Sequence, residues 1–250
     1  MQADTTIRKF SEVEQLNHEA ARLFVRHAAA AIAEHGHFTV AFTGGSSPAG
    51  CYRLLATPEY RNQVQWDRVY AFWGDERWVP LDDERSNARM THETLLDHVP
   101  IPKDQIFPMW ADETSPEEFA RDYEQTLRRC LGPEGRFDLI LLGMGGDGHT
   151  ASWFPHTAVL HEQNKWVVGY YLDAQSMYRI TLTVPVVNRA KHIAVITFGA
   201  AKANALYEVL EGERRFEEYP AQLLDNADGR VTWLVDDAAA SRLNDNGQAG

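Results

Sequence analysis

Cysteine is scarce in this sequence, which carries only Cys51 and Cys130 among its 250 residues. Two thiols supply neither the disulfide framework of a small secreted domain nor a cysteine-rich zinc site, so we expect both to be free. Apolar stretches are also short, and none approaches the roughly 20 residues that a membrane-spanning helix needs. The opening residues, MQADTTIRKF, lack the apolar core of a signal peptide. We therefore expect a cytoplasmic protein with no membrane partner.

Positive charge is in short supply as well, since 24 Lys and Arg residues stand against 36 Asp and Glu residues. The net charge of -12 argues against a general affinity for nucleic acid. It leaves room for a small anionic substrate, because a local cluster of Arg and Lys overrides the sign of the whole chain.

Three signatures of common enzyme classes are missing from the sequence. There is no P-loop of the form G-x-x-x-x-G-K-[ST] and no nucleophile elbow of the form G-x-S-x-G. No Cys or His cluster has the spacing of a zinc site, so we expect no metal.

Apolar strands alternate with amphipathic helices, which predicts a mostly parallel sheet covered by helices on both faces. The predicted strands are 37–43, 68–73, 137–142, 166–171, 179–184, 192–198 and 231–235. The predicted helices are 11–35, 47–56, 200–211 and two that start at Ser86 and Ser115, with further caps at Ser11 and Ser47. We expect subsidiary antiparallel strands around 166–184. Without a repeat or a linker, 1–250 is predicted to be one α/β domain, with a flexible tail from about 244 to 250.

Glycine, charged and hydroxyl residues follow four of these strands, at 43–47, 74–77, 143–149 and 199–202. Open α/β sheets bind their ligands at the carboxyl ends of the strands. These four segments are therefore the candidates for a functional site.

The first two candidates suit an anion and a cleft wall. In TGGSSP (43–48) the glycines allow close backbone approach, and the following helix presents unpaired N–H groups, an arrangement that binds phosphate. An ordinary strand-to-helix turn is the competing interpretation. In WGDERWVP (73–80), Asp75, Glu76 and Arg77 come directly after a strand between two tryptophans. Solvated surface charge is the competing interpretation there, and Ser86 with Asn87 most simply caps the next helix.

The third candidate, GMGGDGHTASWFP (143–155), has the G-x-G-x-x-G spacing of a dinucleotide-binding turn. Asp147 would repel a pyrophosphate, and Pro155 limits any following helix to a turn or two. His149 beside Asp147 on a glycine turn is instead typical of a general base held in a rigid frame. A structural role for His149 is the alternative.

Four motifs in this order resemble the glucosamine-6-phosphate isomerase/6-phosphogluconolactonase family, and its lactonases in particular. They are TGGSSP, GDERWVP followed by SN, GMGGDGHTASWFP and RITLTVPVVNRA (179–190), with GAAKA (199–203) beyond. Trp153 stands where Leu is usual and Thr43 where Ser is common, and neither change threatens the chemistry.

The resemblance implies a Rossmann-like three-layer sandwich that hydrolyses 6-phospho-D-glucono-1,5-lactone to 6-phospho-D-gluconate, the second step of the oxidative pentose phosphate pathway, without cofactor or metal. Carried over by position, His149 matches the catalytic base, and Asp75 and Arg77 match the active-site acid and its basic neighbour. The phosphate side is matched by Gly44, Gly45, Ser46, Arg179 and Lys202. Asp147 either orients His149 or braces the loop.

Two other functions compete with the lactonase. In glucosamine-6-phosphate deaminases this loop resembles D-G-H-I-A-F-N-E-P, and the Glu before the Pro works with the His. This chain has Phe154 in place of that Glu. A catalytically silent sugar-phosphate sensor is the second alternative, although the sequence has no extension that resembles a DNA-binding helix-turn-helix. Arg85, Arg89 and Arg189 are unranked candidates for further phosphate contacts. The sequence does not give the oligomeric state.

Overall fold

The structure is a computed structural model that describes residues 3–244, so all of the predicted tail except Asn244 lies outside the described residues. Its strands are β1 (Asp4–Phe10), β2 (Phe38–Phe42), β3 (Val69–Trp73), β4 (Asp75–Arg77), β5 (Leu139–Gly143), β6 (Val167–Leu172), β7 (Met177–Leu182), β8 (His192–Thr197) and β9 (Arg230–Asp236). Its helices are α1 (Val13–His35), α2 (Ser46–Ala56), α3 (Pro58–Arg61), α4 (Asn87–Thr94), α5 (Pro116–Leu131), α6 (Val184–Asn188) and α7 (Ala203–Leu210).

Six strands form a parallel sheet in the order β1-β9-β8-β5-β2-β3, with helices on both sides. Every residue of β2 and β8 is buried, because a parallel strand that is covered on both faces has no solvent side. The prediction of one α/β domain with a mostly parallel sheet is therefore confirmed in its fold class. The cysteines are free, as expected, and no helix within residues 3–244 is long and apolar enough to cross a membrane.

The direction in which the chain adds strands reverses at β2. Strand β3 pairs with one edge of β2 and β5 pairs with the other, both in parallel. The loops that follow β2 and β5 consequently leave the same edge of the sheet side by side, at the position where open α/β sheets bind ligands. These loops are the segments TGGSSP and GMGGDGH.

A second sheet of three antiparallel strands, in the order β4-β7-β6, lies beyond this edge. It confirms the antiparallel strands expected around 166–184. Only Gly74 separates β4 from β3, and the backbone N–H of Leu182 in β7 donates to the Gly74 carbonyl over 2.8 Å. The small sheet therefore holds the segment GDER against the carboxyl end of the large one.

Several predicted boundaries were wrong for local reasons. Strand β1 was not predicted, because it is an edge strand whose side chains are exposed or half-buried and it has no apolar run. Its pairing with β9 continues to Phe10, so α1 starts only at Val13, and the predicted Ser11 cap is wrong. Helix α2 begins at Ser46 after Gly45, so the predicted Ser47 cap is also wrong. The caps at Ser86 and Ser115 are confirmed.

Candidate active site

A cleft of about 250 Å³ opens at the carboxyl edge of the large sheet. Residues from all four candidate segments line it, together with residues of β7 and the turn before it. Eight of the nine predicted site residues are in its wall: Gly44, Gly45, Ser46, Asp75, Arg77, His149, Arg179 and Lys202. The ninth, Asp147, contacts His149 from outside the lining.

The glycine loop after β5 holds His149 against Asp147. The Nδ1 atom of His149 lies 2.5 Å from Oδ1 of Asp147, and the His149 backbone N–H donates to the same oxygen over 3.2 Å. Gly148 has a φ of +77°, and a Cβ at Gly145 would collide with both the imidazole and the carboxylate. No helix follows this loop, which returns through a turn that pairs Thr150 with Trp153.

This contact indicates which ring nitrogen of the neutral imidazole carries the hydrogen. A carboxylate at Nδ1 accepts the Nδ1–H, so the neutral ring carries its lone pair on Nε2. Partial burial raises the pKa of Asp147, but the hydrogen bond and the charge of His149 together outweigh it, and the pKa lies below its usual value. Phe154 stacks on the imidazole with the ring centroids 4.2 Å apart. The arrangement suits a base whose Nε2 accepts a proton.

The loop after β2 forms another part of the cleft lining. Gly45, with a φ of +84°, precedes the 11-residue helix α2, whose first N–H groups receive no side-chain cap and whose first turn has no acidic residue. The hydroxyl of Tyr52 donates to the Thr43 carbonyl over 2.9 Å and accepts from the Thr43 N–H over 3.0 Å. The loop is therefore anchored to its own helix and presents a partial positive charge to the cleft.

Two arginines of the small sheet face this loop. Arg77 in β4 and Arg179 in β7 are direct register partners, and the Nε atom of each is buried without a hydrogen-bond partner within residues 3–244. Arg179 is only 4 % exposed, and burial lowers its pKa. It is the third residue of β7 and does not open the strand as predicted. Lys202, in a 3-10 turn before α7, lines the same cleft and makes no ion pair within residues 3–244. We call Arg77, Arg179 and Lys202 together the cationic wall.

Asp75 lies under the arginines and is held by three neighbours. The Ser152 hydroxyl donates to its Oδ2 over 2.6 Å, the Asn87 amide donates to its Oδ1 over 3.4 Å, and Nη1 of Arg179 is 4.0 Å from Oδ2. The carboxylate is 6 % exposed. These contacts hold the Asp75 carboxylate beside Arg179 in the lining of the cleft.

Sequence reasoning missed the supporting roles of Glu76, Asn87 and Ser152. Glu76 is fully buried and accepts hydrogen bonds from the Ser86 hydroxyl and from the backbone of Arg77, Asn87 and Ala88 over 2.7 to 3.0 Å. Burial raises its pKa to about 7. Asn87 also donates to the Asp75 carbonyl and packs on Gly44, so it does more than begin α4. The only sequence signal was that SN follows GDER at short range.

The three unranked arginines lie outside the lining of the cleft. Arg85 pairs with Asp83 over 2.7 Å, Arg89 pairs with Glu93 over 2.7 Å, and the Arg189 guanidinium lies 5.9 Å from the Trp166 ring centroid. No group of three or more His, Cys, Asp and Glu residues in the described part of the chain is arranged to hold a metal ion.

Comparison with known proteins relates this geometry to one family. The model of the family "Glucosamine-6-phosphate isomerases/6-phosphogluconolactonase" matches residues 11–233. The chain is 40 % identical over 217 residues to the 6-phosphogluconolactonase of Synechocystis sp., covering 85 % of this chain and 88 % of the relative. The corresponding protein of Nostoc sp. is 36 % identical over 218 residues, covering 86 % and 88 %.

Solved structures agree with the sequence relatives. The 6-phosphogluconolactonase from Trypanosoma brucei superposes with a TM-score of 0.84 at 26 % identity, covering 97 % of this chain and 100 % of that one. A monomeric glucosamine-6-phosphate deaminase has a TM-score of 0.81 at 22 % identity, covering 94 % and 99 %, and so shares the fold. The chain therefore belongs to the glucosamine-6-phosphate isomerase/6-phosphogluconolactonase family.

Proposed function

We propose that this protein hydrolyses 6-phospho-D-glucono-1,5-lactone to 6-phospho-D-gluconate, as the second step of the oxidative pentose phosphate pathway, by water attack that His149 assists. The names of its relatives support the lactonase activity. One observation carries the mechanism: the same cleft is lined by His149, which Asp147 contacts, and by the cations Arg77, Arg179 and Lys202. A sugar-phosphate lactone has one reacting carbonyl, which suits the His149 base, and one remote phosphate dianion, which suits the cations.

The cationic wall binds the phosphate in this proposal. Arg179, Lys202 and the loop from Gly44 to Ser46 supply charge and N–H donors to the cleft. Binding energy from this remote group fixes the lactone so that its carbonyl faces His149. Asp75 is the only carboxylate among the nine site residues that lines the cleft, and Arg179 at 4.0 Å partly offsets its charge.

In the same cleft, Nε2 of His149 takes a proton from water as the oxygen attacks the carbonyl carbon. Asp147 stabilises the imidazolium that forms, and its hydrogen bond keeps the ring in place. Negative charge develops on the carbonyl oxygen, where Arg77 or a backbone N–H stabilises it. The ring oxygen then leaves and receives the proton from His149, which yields the open-chain acid without a covalent enzyme intermediate.

The position of Phe154 argues against the deaminase alternative. Its phenyl ring stacks on His149, at the position where the deaminases carry a glutamate by resemblance, and a phenyl ring transfers no proton. The intact His149–Asp147 pair favours an enzyme over a silent sensor.

An assay with three substrates tests the proposal. Purified protein is given the phospholactone, the same lactone without phosphate, and glucosamine 6-phosphate, and hydrolysis is followed above the spontaneous rate at constant pH. We expect rapid turnover of the first, weak turnover of the second and no ammonia from the third. No excess over spontaneous hydrolysis of the phospholactone would refute the enzyme, and ammonia release would favour the deaminase.

A further inference from the structure

The hydrogen bonding of Arg179 is unusual for a buried cation. Its single ion pair within residues 3–244 is the long one with Asp75, and its Nε has no partner. Within residues 3–244, the only side-chain oxygen that accepts a hydrogen bond from the Arg179 guanidinium is Oε1 of Gln175, and the donor is Nη2. A neutral amide satisfies this donor without neutralising the positive charge.

Gln175 belongs to the turn that joins β6 to β7, four residues before Arg179. It closes a short 3-10 turn, Asp173–Gln175, and the next residue, Ser176, is left-handed with a φ of +47°. The residue is exposed as a whole, yet its side chain reaches into the cleft and lines it. Gln175 is thus an exposed side chain on a turn, whereas the guanidinium that it contacts is fixed in a buried strand.

We propose that Gln175 is a specificity-determining residue that accepts a hydrogen bond from the phosphate-facing donor of Arg179 and gives up this donor when the substrate phosphate binds. This inference rests on the proposed function, which assigns the phosphate to the cationic wall. A hydrogen-bond acceptor at position 175 competes with the phosphate for the Nη2 donor of Arg179. The charge of that acceptor decides how strongly it competes. A neutral amide competes weakly and adds no negative charge to the one that Asp75 places beside Arg179, which favours a dianion over an uncharged sugar.

The charge at position 175 is therefore expected to control phosphate affinity. Gln175→Glu forms an ion pair with Arg179 and repels the phosphate, so we expect the dissociation constants of inorganic phosphate and 6-phosphogluconate to rise about tenfold or more. Gln175→Ala removes the competitor, so we expect those constants to fall, by up to about fivefold, the equivalent of one neutral hydrogen bond. In the lactonase assay the Gln175→Glu effect is expected mainly in KM, because the proposed function assigns phosphate binding to Arg179 and proton transfer to His149.

Gln65→Glu is the matched control. Gln65 is exposed and precedes β3 at the amino end of the sheet, so the same change in charge occurs away from the cleft. Titration calorimetry of the wild type and the three variants with inorganic phosphate and with 6-phosphogluconate gives the affinities without any catalysis. We expect Gln65→Glu to stay within about twofold of the wild type, since exposed charges beyond about 10 Å are largely screened at 0.1 M salt.

Each outcome decides the inference. It is overturned if Gln175→Glu binds phosphate as the wild type does, if Gln175→Ala weakens binding as much as Gln175→Glu, or if the wild type binds neither ligand. In the second case Gln175 orients Arg179 or contacts the phosphate favourably, and does not compete with it. The expected binding pattern in a protein without lactonase turnover would refute the reaction alone, whereas an active protein that is indifferent at position 175 would refute this inference alone.

Discussion

Arg77 and Arg179 stand directly opposite each other on neighbouring strands, and neither Nε has a hydrogen-bond partner within residues 3–244. Like charges in this position destabilise a sheet. Asp75 compensates one of the two charges at 4.0 Å from Arg179. We expect a bound anion to offset the rest, which is the physical reason for assigning the substrate phosphate to these arginines.

Removal of Arg179 tests that assignment. Arg179→Ala deletes one or two charge-assisted hydrogen bonds to the phosphate, so we expect binding of 6-phosphogluconate to weaken by roughly 2 to 4 kcal/mol. The dissociation constant from calorimetry and the KM of the phospholactone are the measurements. Arg189→Ala is the control, because that guanidinium faces Trp166 outside the cleft. An unchanged dissociation constant, or a ligand-bound structure with the phosphate elsewhere, contradicts the assignment.

The glycine loop provides a backbone test. Gly145→Ala places a Cβ against the His149 imidazole and the Asp147 carboxylate, so the pair must shift, and we expect turnover to fall by about 10² or more. Gly146→Ala is the matched control one residue along, because its Cβ would meet only the Ala201 carbonyl, at an ordinary 3.5 Å. Equal turnover in the two variants would show that the packing of the loop does not set the position of His149.

A buried histidine far from the cleft predicts a loss of stability in acid. His192 is buried, its Nε2 has no hydrogen-bond partner among the described residues, and its ring centroid lies 4.3 Å from that of His27. Burial, followed by the nearby His27 and Arg230, lowers the pKa of His192 to about 3. The unfolded chain binds this proton with a pKa near 6.5, so between about pH 6.5 and 3 the unfolded state takes up more protons. Stability is therefore lost as the pH falls through this window.

Denaturant unfolding at pH 7 and pH 5 measures this contribution. His192 alone is expected to lower the free energy of unfolding by about 2 kcal/mol between the two values. His192→Gln removes the titration, so its stability should fall less over the same interval even if it is less stable at pH 7. An identical pH dependence in wild type and variant would show that His192 is not kept neutral by burial.

The sequence predicted the large features of the fold because each has a local signal. Buried strands such as β5 read as apolar runs, and Ser115 with Glu118 marks the start of α5 by a capping box that the structure contains. Strand β1 gave no such signal, since its partner β9 lies at the other end of the chain. Its place in the sheet depends on tertiary pairing, which composition does not reveal.

The residues of the candidate site also fall into those that the sequence predicts and those that it does not. The location of His149 was predictable, because an acid and an imidazole on a glycine turn at a strand end are informative in themselves. The full burial of Glu76 was not, because a buried acid looks like its exposed neighbours until the donors around it are known. The contact of Gln175 with Arg179 depends on the conformation of one turn, and no pattern of residues in the sequence predicts it.

The most direct test of the account is the turnover of His149→Ala with the phospholactone, measured as the enzyme-dependent excess over spontaneous hydrolysis at constant pH. Product binding in the same variant, together with His161→Ala as a control at an exposed histidine, separates catalysis from folding. We predict near-normal product binding, a fall in turnover of about 10² to 10⁴ and a smaller fall for Asp147→Asn. A His149→Ala protein that binds product and turns over the lactone at nearly the wild-type rate would contradict the account.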